Sequence, residues 1–393
     1  MLKQEKEYRE GERTAVGIDP CKEFLQLAIL SPDGKQEFKK LPLLPSITAE
    51  IVRSTVPERT QIGIESYGSY GKLFVFELLK KGYDVREINP SISKKLTDLI
   101  TEDHSDCLDA VSIAKALLLI PDLPKVSFTE KKLMLAKLSR LRKRLVKDLN
   151  GYLNRLHIAL TESYGAVYRG LFRTIFTGKA LGYFERYPTI NDAFSQKRKV
   201  IAIIGEEKWD LLEQAGQWER SPYLGLLKIE IRCLIRIIKA LQASKKELEE
   251  KIKEVGAEDE DVKLLKTFPG IDYITAATLL SEIGNIERFE KEGCLSSYCG
   301  VSPVMWQSGT AKVKTKRRKR YSRRLKGILY FISLSQIRIN PESKDYYWRK
   351  RKEGKTHWQA MNALSRQLIK IIYYMLKNRE SYRRERIVHY ILT

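Results

Sequence analysis

Four carboxylates constrain this chain more than any other feature: Asp19, Glu65, Asp106 and Asp109 lie far apart in sequence, yet each stands where a strand ends or a helix turn begins. Asp19 closes the apolar run Ala15-Val16-Gly17-Ile18, and Glu65 closes Ile62-Gly63-Ile64. Asp106 and Asp109 are three apart in a segment, Ser105 to Leu119, whose apolar spacing is helical, so both project from one face. Asp103 is also three residues from Asp106 and leaves a second pairing open; Ala110, Ile113, Ala114 and Leu117 continue a helix from the later pair and favour it.

Carboxylates gathered in one place repel one another, and a divalent cation between them relieves the repulsion. Mg²⁺ takes hard oxygen ligands, and the use of such a site is to cut a phosphodiester. The expected Mg²⁺ ligands are Asp19, Glu65, Asp106 and Asp109.

The elements between these acids follow a definite order. Strands are expected at Thr14 to Asp19, Phe24 to Leu30 and Gln36 to Leu41, with the turn Ser31-Pro32-Asp33-Gly34 making a meander. A helix at Ile47 to Val56, a strand at Gln61 to Glu65, a helix from Gly71 to Lys81 ended by Gly82, and a strand at Asp84 to Ile88 come next. The order βββαβαβα is that of a ribonuclease-H-like α/β domain, whose acids lie at the ends of the first and fourth strands and on a later helix.

Lys and Arg total 72 against 49 Asp and Glu, a formal charge of +23, which points to a polyanionic partner, with nucleic acid the best fit. No apolar run reaches the roughly 18–20 residues of a membrane span, and Met1 to Arg13 is charged, so a cytoplasmic, nucleoid-associated protein with no membrane partner is expected. The five cysteines show no paired spacing, which argues against a zinc site and a disulfide framework.

Two long amphipathic helices should follow. In Glu130 to Leu160 the residues Leu138, Leu141, Leu145, Leu149, Leu153, Leu156 and Leu160 step by three or four, and a second helix between Leu227 and Val255 carries Ile231, Leu234, Ile238, Leu241, Leu248, Ile252 and Val255 on its stripe. They are expected to pair as an antiparallel arm, within a chain or between chains. Residues Tyr164 to Pro222 between them are rich in aromatics and lysine without a clear period. The polar stretch Glu254 to Asp261 reads as a linker, giving an α/β domain at 12–125, a helical region at 126–257 with insertion 164–222, and a mainly α C-terminal domain at 258–393.

In that last domain Phe268-Pro269-Gly270-Ile271 resembles a helix-hairpin-helix turn, in which Gly270 would let backbone N–H groups approach a phosphate. Lys312 to Lys326 holds ten basic residues and no acidic one. Its Lys312, Lys314, Lys316, Arg317, Arg318, Lys319, Arg320, Arg323 and Arg324 are candidates for nucleic-acid contact, because the run leads into an apolar helical segment and is not a free tail.

With Gly17-Ile18-Asp19, Gly63-Ile64-Glu65 and Asp106-x-x-Asp109-Ala110, then Pro269-Gly270-Ile271, Tyr298-Cys299-Gly300-Val301-Ser302-Pro303 and Gln307-Ser308-Gly309, the chain resembles the DEDD transposases of insertion sequence family 110. The resemblance implies a RuvC-like N-terminal domain, a coiled-coil connection and a C-terminal transposase domain in which Ser308 is the nucleophile. It further implies a recombinase acting on donor and target DNA that a structured bridge RNA specifies. Acids and serine on different domains suggest assembly of a homo-oligomer, a dimer or a tetramer on DNA. Two other functions fit the residues: a RuvC-like junction nuclease using metal-activated water, and a non-catalytic architectural nucleic-acid binder.

Overall fold

The structure is a computed structural model, and it describes residues 13–42, 44, 48, 51, 55–65, 71–100, 103, 105–121, 123–126, 129–219, 221–306, 314–316 and 321–384. These residues fall into two compact units, one drawn from 1–133, 267–270 and 279–393, the other from 134–266 and 271–278.

The first unit begins with a five-stranded mixed sheet of order β3-β2-β1-β4-β5, formed by β1 (Thr14–Pro20), β2 (Phe24–Leu30), β3 (Gln36–Pro42), β4 (Thr60–Glu65) and β5 (Asp84–Ile88). β1 pairs antiparallel with β2 and parallel with β4, and β5 extends the parallel side. The arrangement is compatible with a ribonuclease-H-like domain. The strands expected from the sequence are present with ends shifted by at most a residue or so. The helix expected at Ile47 to Val56 lies largely outside the described residues.

Strand alternation divides β1 and β4 between two faces. Val16, Ile18, Ile62 and Ile64 are fully buried in one cluster with Phe74, Val75 and Leu78 of α1 (Lys72–Lys80). Ala15 lies in a separate cluster with Ile113, Ala114 and Leu117, on the opposite face. After α2 (Pro90–Ile100), that face is covered by α3 (Asp106–Leu119). The same alternation sends Gly17 and Asp19 of β1, and Gly63 and Glu65 of β4, toward α3.

The second unit is built on α4 (Glu130–Tyr164), followed by the short helices α5 (Tyr168–Leu171), α6 (Gly178–Arg186), α7 (Ile190–Phe194), α8 (Lys197–Ile204) and α9 (Glu206–Ala215), and then α10 (Pro222–Ala257). The long helices pair within the chain and antiparallel: Glu162 accepts from Tyr223 at 2.6 Å near one end, and Arg142 binds Glu249 at 2.6 Å near the other. Leu149, Leu153, Leu156 and Leu160 share a buried core with Ile231, Leu234 and Ile238, whereas Leu141 of the expected stripe is 38% exposed. The aperiodic insertion fills the same core with aromatic rings, Tyr164, Phe172, Tyr183, Phe184 and Tyr187 meeting edge-on or tilted at 5.2–6.4 Å. Short helices carrying two to four anchors each have too little length for a periodicity to be read.

The linker expected at Glu254 to Asp261 is instead folded. α10 runs to Ala257, and α11 (Glu260–Lys266) starts three residues later. Asp259 caps it by accepting from the Val262 N–H at 3.0 Å, and both Asp259 and Asp261 are buried. The polarity that suggested a linker is helix-capping polarity.

α12 (Tyr273–Ile283) follows a turn in which Gly270 has φ +83°. Then come α13 (Glu292–Tyr298), the antiparallel hairpin of β6 (Val304–Trp306) and β7 (Lys314–Lys316), and α14 (Arg323–Ile339), α15 (Pro341–Lys352) and α16 (His357–Asn378). α16 is the central helix of this part, with Leu364, Leu368, Ile372 and Met375 buried and a 2.7 Å hydroxyl contact from Ser365 to Ser333 of α14. Among the described residues all five cysteines are unpaired, and no helix is long and apolar enough to cross a membrane.

Candidate active site

Glycines decide how closely α3 approaches the sheet. Gly17 and Gly63 stand side by side in the parallel register of β1 and β4. A Cβ on Gly17 would lie 2.0 Å from the Ala110 carbonyl oxygen and 2.5 Å from the Ala114 nitrogen, and one on Gly63 would lie 2.9 Å from Ile113 Cγ2. The backbone of α3 therefore rests on β1, and its first turn arrives beside the ends of both strands. Ser105 starts that turn, its hydroxyl accepting from the Leu108 N–H at 3.3 Å. Asp106 and Asp109 occupy the first turn of α3, whereas Asp103 lies before the cap, outside the helix and exposed.

Asp19 feels the other three acids. Burial raises the Asp19 carboxyl from its ordinary 3.8 to about 6, and the charges of Asp106, Glu65 and Asp109 add to the rise. Cys21 sits at the same point, its thiol 3.8 Å from Asp19 Oδ2. Carboxylate oxygens of Asp19 and Asp106 and the Cys21 sulfur lie within 4.8 Å of one another, a spacing that would hold a metal ion. Burial and then the charges of Asp19 and Asp106 push the Cys21 thiol to about 11. At neutral pH Cys21 is therefore a protonated donor to the acids and a poor ligand, so the donor set is hard oxygen.

Two hydroxyls on α2 orient the remaining acids. Ser93 donates to Glu65 Oε2 at 2.6 Å, and the Thr97 hydroxyl lies 3.2 Å from Asp109 Oδ1 and 2.8 Å from Ser112 Oγ. Ser93, Thr97 and Ser112 are each 1% exposed. They were missed in the sequence, where Ser93 and Thr97 are ordinary helix residues; the available signal was polar groups four apart on the α2 face that carries Leu96 toward the core.

The other candidates lie in the C-terminal part. Ser308, Lys312, Arg317, Arg318, Lys319 and Arg320 fall outside the described residues, and for Lys314 and Lys316 only the backbone of β7 is described. Described residues on either side of the β6–β7 hairpin hold one another. Ser322 N–H donates to the Tyr298 carbonyl at 2.8 Å, Lys326 donates to the Gly300 carbonyl at 3.1 Å, and the Tyr321 ring fills the place of a side chain at Gly300, which has φ +72°. Arg323 is exposed, while Arg324 is held by Glu282 at 2.8 Å. A Cβ on Gly270 would lie 2.7 Å from Ser335 Oγ of α14, so that glycine is required by packing as well as by its positive φ.

A mixed sheet with Asp19 and Glu65 at the ends of its first and fourth strands, and Asp106 and Asp109 on the helix across it, is compatible with a ribonuclease-H-like domain carrying an acidic site. A family model described as "Transposase IS116/IS110/IS902 family" matches residues 262–348, and a DEDD transposase model of the IS110 type matches residues 16–164. The chain belongs to this family of IS110-type DEDD transposases. It is 32% identical over 191 residues to the insertion element IS900 uncharacterized 42 kDa protein of Mycobacterium paratuberculosis, covering 48% of each chain. It is 31% identical over 157 residues to the insertion element IS110 uncharacterized 43.6 kDa protein of Streptomyces coelicolor, covering 40% of this chain and 39% of that one. Against the transposase for insertion sequence element IS1111A of Coxiella burnetii it is 29% identical over 138 residues, 34% of this chain and 38% of the other. The matched region thus spans half or less of the length of these relatives.

Proposed function

We propose that this protein is the transposase of an IS110-family insertion sequence, cutting and rejoining DNA strands with a serine nucleophile at an acidic Mg²⁺ site. The observation that carries the reading is the convergence of Asp19, Glu65, Asp106 and Asp109: burial, with the charges of the other three added to it, lifts Asp19 to about 6. A site that raises its own acid to this extent suits a cation, and its carboxylate donors suit Mg²⁺. Bound there, the cation would polarise a phosphoryl oxygen and stabilise the leaving oxygen.

The chain's own residues have separate tasks. Ser93 and Thr97 hold Glu65 and Asp109 in fixed rotamers, and the Cys21 thiol donates to Asp19 Oδ2, which favours the ionised carboxylate. Ser308 follows β6 in sequence, and the contact of Gly300 with Tyr321 holds together the described residues that flank the β6–β7 hairpin. In the proposed step the Ser308 Oγ–P bond forms as a P–O bond of the strand breaks. The hydroxyl proton passes to a carboxylate of the site, and the leaving oxygen takes up a proton as a free hydroxyl end. The phosphoserine ester conserves the bond energy, so reversal on another strand end rejoins DNA without an external energy source. Lys312 and Lys314, with the basic run Lys316, Arg317, Arg318, Lys319, Arg320 and Arg323, would neutralise strand phosphates.

A structured RNA that selects donor and target DNA is part of the reading, supported by family membership and the +23 charge. So is a homo-oligomer, supported by a row of exposed apolar residues on α10, Leu226, Ile229 and Ile237.

The test is a covalent adduct. Wild-type protein incubated with Mg²⁺ and cognate DNA should yield a denaturant-resistant protein–DNA species, and Ser308→Ala should bind DNA without forming it. Cutting at the normal rate by Ser308→Ala would replace this mechanism with water-dependent hydrolysis. Loss of the four acids with cutting unimpaired would remove the acidic site from the chemistry altogether.

A further inference from the structure

The C-terminal part of the first unit carries a run of aromatic rings that the acidic site, the serine loop and the basic run do not use. It is assembled from three helices: Tyr330 and Phe331 on α14, Tyr347 and Trp348 on α15, and His357 and Trp358 at the start of α16. The ring centroids form an unbroken series. Phe331 lies 5.8 Å from Tyr330, Tyr330 lies 5.0 Å from Trp358, Trp358 lies 5.6 Å from His357, His357 lies 5.8 Å from Tyr347, and Tyr347 lies 5.4 Å from Trp348.

The middle of the run is fixed. The Tyr347 hydroxyl meets His357 Nδ1 at 2.8 Å and the Tyr330 hydroxyl meets Nε2 at 3.3 Å, so one imidazole ties α14 and α15 to the cap of α16. The capping box of Thr356 and Gln359 holds that cap in turn. The outer rings are open: Phe331 is 69% exposed, Trp358 is 63% and Trp348 is 52%. Large aromatic side chains this exposed, on a support this rigid, cost solvation without contributing to the core of the fold.

Their surroundings are basic. Trp348 lines an open depression together with Arg349, Lys352, Asp345 and Glu353. Glu353 is neutralised within the fold by Lys350 at 2.8 Å and by Lys355, so the exposed Arg349, Arg351 and Lys352 outnumber Asp345, the other acid of the lining. Exposed π faces flanked by cations match unpaired nucleobases on a phosphate backbone, because every base offers a π face and every linkage an anion. A protein partner large enough to cover the rings would need acidic groups facing Arg349 and Lys352, and a second copy of this face would oppose them with like charge.

We propose that Trp348 and Trp358, supported by Tyr330, His357 and Tyr347, form a stacking platform for the unpaired bases of a single nucleic-acid strand. The proposal rests on the reading that this protein handles nucleic acid, and it is independent of the acids and of Ser308. A platform of this kind would hold a strand that cutting or unpairing has released, with little preference for sequence.

The test is equilibrium binding in EDTA, so that no cleavage chemistry enters. The probes are a 20-nucleotide oligo-dT, the corresponding oligo-U and a 20-base-pair duplex, with Trp348→Ala, Trp358→Ala, the double variant, and Trp218→Ala as a control at another half-exposed tryptophan. Each platform variant should weaken oligo-dT or oligo-U binding by roughly tenfold or more, with duplex affinity and its salt dependence unchanged. Phenylalanine at both positions should restore most of the loss. Comparison of the dT and U arms assigns the strand to DNA, RNA or both. Unaltered single-strand affinity in the double variant would overturn the proposal, as would an equal loss for duplex or in Trp218→Ala. So would dissociation of an oligomer by the double variant in sedimentation, since the face would then be a protein interface.

Discussion

Gly17 of β1 lies directly beside Gly63 of β4, and the backbone of α3 crosses above them so closely that a methyl group on Gly17 would overlap the Ala110 carbonyl. This contact converts two strand ends and a helix start into one acidic site. Gly17→Ala has no side chain to displace, only helix backbone, so α3 must lift or slide. The expected result is a loss of roughly 1–3 kcal/mol or more in denaturant unfolding, with abolished cleavage. Gly63→Ala meets the side chains of Ile113 and Leu117 instead, which can adjust, and should cost less on both measures. Equal tolerance of both substitutions would show that the approach of α3 does not set the site.

The penalty that burial and the neighbouring charges place on ionised Asp19 should be visible in stability. Its folded value, about 6, is raised above the ordinary 3.8, so the ionised form is penalised in the folded state. The sign follows: without metal, this carboxyl lowers stability progressively as pH rises between roughly 4 and 6, and the full penalty stands above that. Asp19→Asn removes it. In EDTA at pH 7.5 the variant should melt a few degrees above wild type, each kcal/mol being worth several degrees or fewer in a chain of this size, and the difference should close by pH 4. Added Mg²⁺ should raise the melting temperature of wild type and not of the variant. A variant no more stable than wild type in EDTA would mean that the acids are already relaxed by solvent.

Ser93 and Thr97 are positioning residues for the acids, buried on α2 and donating to Glu65 and Asp109. Removing such outer partners commonly costs 10–100-fold in metal affinity without abolishing it. Ser93→Ala and Thr97→Val should weaken Mg²⁺ or Mn²⁺ binding, measured calorimetrically, by about that factor. Because the acids themselves remain, excess cation should restore cleavage. Persistent inactivity at saturating cation would make these hydroxyls part of the fold alone.

Much of this arrangement was legible in the sequence because it is periodic or punctuated. The strands ending in Asp19 and Glu65, the helix starting at Asp106 after its serine cap, and the long stripes of α4 and α10 each carry a local signal. The in-chain pairing of the two long helices was one of two options, settled by the Arg142–Glu249 and Glu162–Tyr223 contacts, which lie 107 and 61 residues apart in sequence. Features that depend on tertiary contact were not legible. The glycine pair is visible as two GI-acid triplets, but its purpose depends on where α3 lies. The linker at Glu254 to Asp261 was misread because helix caps use the same polar residues as loops. The hairpin of β6 and β7 was missed because each strand has only three residues, too few to show alternation. The aromatic run escaped because its six rings come from three helices.

The exposed face of α10 makes the last prediction. Its buried stripe, Leu227, Ile231, Leu234 and Ile238, already packs into the core of the second unit, so Leu226, Ile229 and Ile237, 64%, 62% and 38% exposed, form a separate row on the solvent side. Their spacing of three and eight keeps them within one broad face of the helix, and Tyr223, 55% exposed, extends the row by another three residues. Burying such a row against a second copy would remove apolar surface worth about 25 cal/mol per Å². Leu226→Glu with Ile229→Lys should therefore shift the protein to a smaller species in sedimentation at micromolar concentration. Helicity and the melting transition of the monomer should change little, because neither side chain contributes to the core. If strand cutting needs acids and serine from separate copies, the same variant loses cleavage while keeping cation binding. Mixing Asp19→Ala with Ser308→Ala then decides the point: activity recovered in the mixture places the two groups on different copies, and no recovery places them on one.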